Sequence, residues 1–290
     1  MITVFEGNTA SEVWQMAAIE ITHGKKAKSQ TGRSDMTEEI LHAAFTIQDP
    51  RQRWVVFRHP ALNPAFAIAE IIWILNGRKD SAFLNYWNSQ LPKYAGNGKE
   101  YHGAYGFRLR HHFGIDQLER AYLALRHNPD GRQVVLQIWD PINDLPDKSG
   151  SPVNKDIPCN IVSLLKVRSG RLEWMQIIRS NDLFRGVPYN FFQFTSIQEI
   201  LAGWLGVELG SYNQISDSLH LYNNDSKIMN ISSLITVERN IDSLCLPKDE
   251  SDAVFHKLNS NFDSIMVSNC TNPALTQMWE RWIERFKVQA

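Results

Sequence analysis

The sequence predicts an α+β fold, as one domain spanning residues 1–290. Helical patterns lie toward both ends of the chain and strand-like runs are grouped in its middle. No Pro/Ser-rich linker, low-complexity tract or fixed-period repeat divides it. With 290 residues, 43% of them hydrophobic, the chain can bury a sizeable core.

Residues 9–22 (TASEVWQMAAIEIT) read as a helix capped by Thr9 or Ser11, with Glu12 in its first turn. A polar loop, HGKKAKSQTGRSDMTEE, follows, and 53–58 (RWVVFR) reads as a strand. NPAFAIAEIIWILNG (63–77) is the clearest helix: Asn63 can cap it, Pro64 suits its first turn and Gly77 can end it. Residues 115–127 form another helix. RQVVLQIW (132–139) is nearly continuous apolar and reads as a strand. NIVSLLKV (160–167) and RLEWMQII (171–178) flank an Arg-Ser-Gly turn and read as a hairpin. FFQFTSIQEILAGWLG (191–206) is a helix ended by Gly206, and WERWIERF near the C-terminus is a short amphipathic one.

The formal net charge is -1, so no global basic field exists to hold DNA or RNA, and any anion site must be local. Cys159, Cys245 and Cys270 are widely spaced, with no CxxC pair for a metal and no secreted disulfide framework. The N-terminus has no signal-peptide pattern, and no apolar run approaches the roughly 20 residues of a membrane span. A cytoplasmic protein without metal, membrane or nucleic-acid partner is expected.

Three segments carry chemistry. Glu70 sits within an otherwise apolar helix, where a carboxylate must be paired, hydrogen-bonded or protonated. It either faces a small polar gap, pairs with an arginine, or serves a site. Cys159 lies in DIPCN at a strand entrance, where proline can fix the thiol's direction. It is a nucleophile if a cation such as Arg179 or Arg185 lowers its pKa, and otherwise a small buried hydrophobe. IIRSNDLFRGVPYN (177–190) offers a guanidinium and hydroxyl for phosphate (Arg179, Ser180), an acceptor (Asp182) and an amide (Asn190) suited to a uracil edge. It could also be an ordinary loop. His220 and Tyr222, two apart, share a face if extended and could bind a sugar hydroxyl or simply pack.

Taken in order, these motifs resemble the thymidylate synthase and deoxycytidylate hydroxymethylase family, from about residue 60 to 225. AEIIWILNG resembles the helix bearing the folate-site glutamate, Glu70, and GAYGFRLR the active-site tyrosine segment, Tyr105. NPDGRQVVLQIWDP resembles the segment whose arginine, Arg132, crosses a homodimer to the partner's phosphate site. PCN resembles the nucleophile motif, RSNDLFRGVPYN the phosphate, folate and base-reading stretch, and LHLYNND the sugar-binding pair.

The resemblance implies a thymidylate-synthase-like mixed sheet with helices packed around it, and 5,10-methylenetetrahydrofolate as co-substrate. It implies that the Cys159 thiolate adds to C6 of a pyrimidine nucleoside monophosphate, so that C5 can take up the one-carbon unit. Asn190 would hold N3 and O4, Tyr105 and Glu70 would organise proton removal and folate activation, and Asp182 would hold the pterin. Arg33, Arg179, Ser180 and the partner's Arg132 would hold phosphate, and His220 and Tyr222 the sugar.

Several departures bear on the product. The usual PCH is PCN here, with Asn160; a usual glutamine is Ile178; and a usual arginine pair is Arg132-Gln133. In FLNYWNSQLPKYAGNGKEY, Trp87 is displaced and Pro92 to Tyr94 stand near the expected tryptophans, while FKVQA lacks the proline-containing closing tail. A less sealed site favours water over hydride at the last step. The leading expectation is methylation of a uridine monophosphate, dUMP first. The alternative is a hydroxymethylase acting on dUMP, dCMP or CMP, and Asn190 argues against cytosine. A catalytically silent nucleotide-binding protein is a third reading. A cysteine hydrolase is weaker, lacking an indicated His–Asn/Asp partner.

Overall fold

Strands that bury one face need side chains alternating in and out, and residues 160–182 and 208–222 supply them at length. The computed structural model describes residues 1–231 and 239–260. Its strands are β1 (Thr3–Gly7), β2 (Lys28–Thr31), β3 (Met36–Ile47), β4 (Arg58–His59), β5 (Val134–Gln137), β6 (Asn160–Arg168), β7 (Arg171–Asp182), β8 (Glu208–Tyr222) and β9 (Asn230–Ile231). One sheet runs β1-β3-β8-β7-β6-β5, with β2 also paired to β3; β4 and β9 form a separate ladder. The β1–β3 and β7–β8 pairs are parallel and the rest antiparallel, which makes the sheet mixed.

The helices are α1 (Ala10–His23), α2 (Pro64–Leu75), α3 (Ser81–Trp87), α4 (Leu91–Ala95), α5 (Tyr105–Phe107), α6 (Gln117–His127), α7 (Pro141–Asp144), α8 (Val187–Leu205), α9 (Asn223–Ile228) and α10 (Lys248–Ser260). Thr9 is the α1 cap: its hydroxyl accepts from the Glu12 N–H at 3.1 Å, and the Glu12 carboxylate accepts in return from the Thr9 N–H. Asn63 caps α2, accepting from the Phe66 N–H at 3.1 Å. α8 is buried on nearly every side, packs on the inner face of β7 and β8, and ends at Gly206, whose φ of 66° suits glycine. Gly106 lets the Tyr105 turn approach α2, because a Cβ there would lie 2.4 Å from the Ile74 carbonyl.

The inner sheet face and the helices share one apolar core. Among the described residues, no helix covers the other face. Val4, Ala44, Ile215, Ile177 and Val162 follow one another across it in register, and all five are exposed or half-buried. Among the described residues, no helix is long and apolar enough to cross a membrane.

Several expectations need correction. Residues 53–57 form no sheet ladder; only Arg58 and His59 pair, with Asn230 and Ile231. The backbone of 54–56 is held by Ser11, whose hydroxyl donates to the Trp54 carbonyl and accepts from the Val56 N–H. The polar loop holds β2 and the start of β3 instead. The 191–206 helix begins four residues earlier, at Val187, so Asn190 lies in its first turn. The 132–139 strand is confined to Val134–Gln137, which leaves Arg132 ahead of it. WERWIERF, Cys270 and the C-terminal FKVQA lie outside the described residues.

Candidate active site

The end of β7, the residues entering β6, the first turn of α8, and α2 with α5 meet at one place. Cys159 immediately precedes β6. Its carbonyl accepts from the Arg179 N–H at 2.9 Å, which locks the two strands together there. The Arg179 guanidinium donates to the Pro158 carbonyl (2.9 Å) and the Ile157 carbonyl (3.0 Å), and its Nη2 lies 4.0 Å from the Cys159 sulfur. Burial pushes the thiol up from its ordinary value, and the Arg179 cation opposes that rise. Arg185, the other candidate cation, instead pairs with buried Asp225, its Nε 2.7 Å from Oδ2.

Glu70 faces the same region from α2. Burial pushes its carboxyl up to about 7, with a hydrogen bond from Gln193 opposing. Among the described residues, its buried Oε2 has no hydrogen-bond partner, so the apolar helix presents one uncommitted carboxyl oxygen to them. Tyr105 is held in its phenol form, chiefly by burial, then by the neighbouring Cys159 and against a hydrogen bond with Asn160; Glu70 acts on it as well. Glu70, Tyr105 and Cys159 therefore share one electrostatic neighbourhood.

Asn190 is buried, at 8% exposure, and is fixed on both sides: Oδ1 accepts from Asn160 (3.2 Å) and Nδ2 donates to Asn181 (3.0 Å). Asp182 accepts from the N–H groups of Phe184 (2.8 Å) and Arg185 (2.9 Å), yet burial still pushes it up to about 7. His220 stands opposite Asp182 on β8. Burial lowers its pKa, which keeps the ring neutral, and it meets Tyr222 edge-on with centroids 5.4 Å apart. The Tyr222 hydroxyl hydrogen-bonds the Arg33 backbone. The Arg33 guanidinium is exposed, donates to the Lys155 carbonyl (3.1 Å) and acts electrostatically on Cys159. Ser180 is half-buried beside Ser218 at the end of β7.

Arg132 is not brought to this site within one chain. It is exposed ahead of the edge strand, and since Val134 pairs with Leu165 it lies at the far end of β6 from Cys159. At the usual rise per strand residue, that separation is on the order of 25 Å. Of the departures, Ile178 is fully buried on the inner face and meets no solvent. Tyr94 lies under the Arg185 guanidinium, 5.1 Å from its ring centroid, and half-buried Trp87 packs against Tyr86 at 4.9 Å.

Sequence reading missed three neighbours, Asp156, Gln193 and Arg58, and named a fourth, Asn160, only as a departure. Asp156 accepts from the Gly103 N–H (2.8 Å) and acts on Cys159 and Tyr105. Gln193 holds Glu70, Arg58 donates to the Phe184 carbonyl (2.8 Å) near Asp182, and Asn160 bridges Tyr105 and Asn190. Gln193 had a usable signal, being a polar residue within an apolar helix, as Glu70 is. Among the described residues, no group of three or more His, Cys, Asp or Glu could hold a metal ion.

The thymidylate synthase family model matches residues 15–269. A deoxyuridylate hydroxymethyltransferase of Bacillus phage SP01 is 36% identical over 67% of this chain and 52% of its own length. One of Pseudomonas phage M6 is 37% identical over 69% and 55%. A putative thymidylate synthase of Methanothermobacter thermautotrophicus is 27% identical over 75% and 92%. The chain thus spans about half the length of the two phage relatives it matches.

Proposed function

The chain belongs to the thymidylate synthase family, and on that premise we propose that it transfers a one-carbon unit from methylenetetrahydrofolate to C5 of deoxyuridylate. The observation that carries this reading is the convergence of Cys159, Arg179, Tyr105, Glu70 and Asn190 on one site.

Cys159, as thiolate beside Arg179, adds to C6 of the base. Asn190 receives the charge that develops along N3 and O4. Glu70, poised near neutral pH, and Tyr105, held as a phenol, pass the protons that leave and enter around C5. Glu70 and Asp182 are the groups that would hold the folate. The uncommitted Oε2 of Glu70 and the near-neutral titration of both carboxyls fit a pterin ring, which offers donors and acceptors alike. The bound folate supplies the carbon at the oxidation level of formaldehyde. His220 and Tyr222 face the sugar, and Arg33, Arg179 and Ser180 the phosphate.

Both a methyl and a hydroxymethyl product can arise on this scaffold. The names of the two phage relatives favour hydroxymethyl. The replacement of the expected tryptophans by Pro92 to Tyr94 supports that choice, because a less sealed site favours water at the last step.

The bare apolar row on the outer sheet face supports a homodimer packed sheet to sheet, in which Arg132 serves the other protomer's phosphate site. The test of the reaction is release of tritium from [5-3H]dUMP, dCMP, UMP or CMP in the presence of methylenetetrahydrofolate. Release from dUMP supports the reading, as does its loss in Cys159→Ala. No release from any of the four contradicts it.

A further inference from the structure

Whether an asparagine pairs with uracil or with cytosine depends on which end of its amide is oxygen. Here a buried chain of side chains determines that end. The indole N–H of Trp174 can only donate. It donates to Gln176 Oε1 at 3.1 Å, which also accepts from the Ser163 hydroxyl at 2.6 Å. The other end of Gln176 must then be its NH2 group, and Nε2 donates to Asn160 Oδ1 at 3.0 Å. Asn160 in turn donates from Nδ2 to Asn190 Oδ1 at 3.2 Å. Asn190 donates to Asn181 Oδ1 at 3.0 Å, and Asn181 to the Ser216 hydroxyl at 2.9 Å.

The whole chain is buried. Trp174 and Asn181 are 1% exposed, Gln176, Asn160 and Ser216 are 0%, and Asn190 is 8%. Turning one amide over would set donor against donor or acceptor against acceptor where no water can intervene. The two ends are not equivalent. Ser216 also receives Gln214 Nε2 at 3.3 Å, and the Tyr212 hydroxyl donates to Gln214 Oε1 at 3.0 Å. These hydroxyls can donate or accept, so their end tolerates either polarity. The Trp174 end does not, and it sets the direction of the chain.

We propose that Trp174, Gln176, Asn160 and Asn181 are positioning residues for base selection: they polarise the Asn190 amide to match a uracil edge and to oppose a cytosine edge. This rests on Asn190 being the base-facing group of the function proposed above. Asn190 keeps one lone pair on Oδ1 and one hydrogen on Nδ2 for the ligand. Uracil offers N3–H and O4 to that pair, whereas cytosine presents the reverse order.

The test is calorimetric binding of dUMP and dCMP to the full chain, as wild type, Trp174→Phe and Asn160→Asp. Trp174→Phe keeps a ring and deletes the donor. Asn160→Asp puts an acceptor-only group where Asn160 now donates to Asn190, so the Asn190 amide must turn over. Wild type should prefer dUMP. Losing the fixed donor should narrow the dUMP-over-dCMP ratio by roughly fivefold, the worth of about one hydrogen bond. Asn160→Asp should move the ratio further the same way. An unchanged ratio, or equal loss of both affinities, in a Trp174→Phe protein with wild-type circular dichroism overturns the proposal. That variant decides alone if Asn160→Asp does not fold. A wild type that binds neither nucleotide overturns the functional reading, and the proposal with it.

Discussion

The guanidinium of Arg179 donates to the carbonyl of Pro158 at 2.9 Å and places Nη2 4.0 Å from the sulfur of Cys159. One side chain therefore shapes the loop that carries the thiol and also supplies the positive charge beside it. Burial raises the thiol's pKa and Arg179 lowers it, so Arg179→Ala should leave Cys159 with a higher pKa. The profile of iodoacetamide alkylation of Cys159 against pH should shift toward higher pH, with slower reaction at a fixed pH below the pKa. A profile that does not move would remove Arg179 from thiol activation.

Glu70 links stability to pH with a definite sign. Its folded pKa, about 7, lies above its unfolded value of 4.5. Its contribution to stability is therefore complete below pH 4.5 and is lost as pH rises through 7. Glu70→Gln should match wild type in urea unfolding near pH 4.5 and exceed it at pH 8, by up to about 3 kcal/mol. It should also lose turnover. Equal stabilities at pH 8 would mean the carboxylate is better solvated than its burial implies.

Much of the site was legible because its residues are out of place in their elements. Glu70 interrupts an apolar helix, and Cys159 and Asn190 belong to short polar stretches at element boundaries. The interior network was not legible. Gln176 and Asn181 look like ordinary polar residues, and Asn160 only like a departure beside Cys159, until the β6–β7 register turns them inward. β3 escaped notice because His42, at φ 57°, breaks the alternation by which a strand is recognised. RWVVFR has strand composition, but its partners are Ser11 of α1 and Glu199 of α8, which no local pattern reveals.

Glu199 makes a structural prediction remote from the chemistry. It is fully buried in α8 and pairs with Arg53, also fully buried, and with Arg51 at 2.8 Å. Burial raises its carboxyl, but the two arginines more than offset this and hold it below the usual range. Glu199→Ala should cost about 3–5 kcal/mol in urea unfolding, because it removes the carboxylate that neutralises the buried Arg53 guanidinium. A loss below about 1 kcal/mol would contradict this.

Arg132 offers a test of the dimer. Arg132→Ala and Cys159→Ala chains should each have little activity alone. If the phosphate site is shared, unfolding and refolding them together should restore about a quarter of wild-type activity, since half the dimers would carry one intact site of two. No recovery from a mixture shown to contain hybrid dimers would place Arg132 outside the site. Ile177→Glu, on the bare sheet face, should give monomers in sedimentation.

The most direct measurement is of the two products formed from dUMP and methylenetetrahydrofolate. The nucleotide is read by mass spectrometry and the folate by the absorbance change that accompanies dihydrofolate. The expected result is 5-hydroxymethyl-dUMP with tetrahydrofolate released and no rise in dihydrofolate. One dihydrofolate per nucleotide, with a methylated product, would keep the one-carbon transfer and contradict the choice of water at the last step. Unaltered dUMP after prolonged incubation would contradict one-carbon transfer by Cys159 altogether.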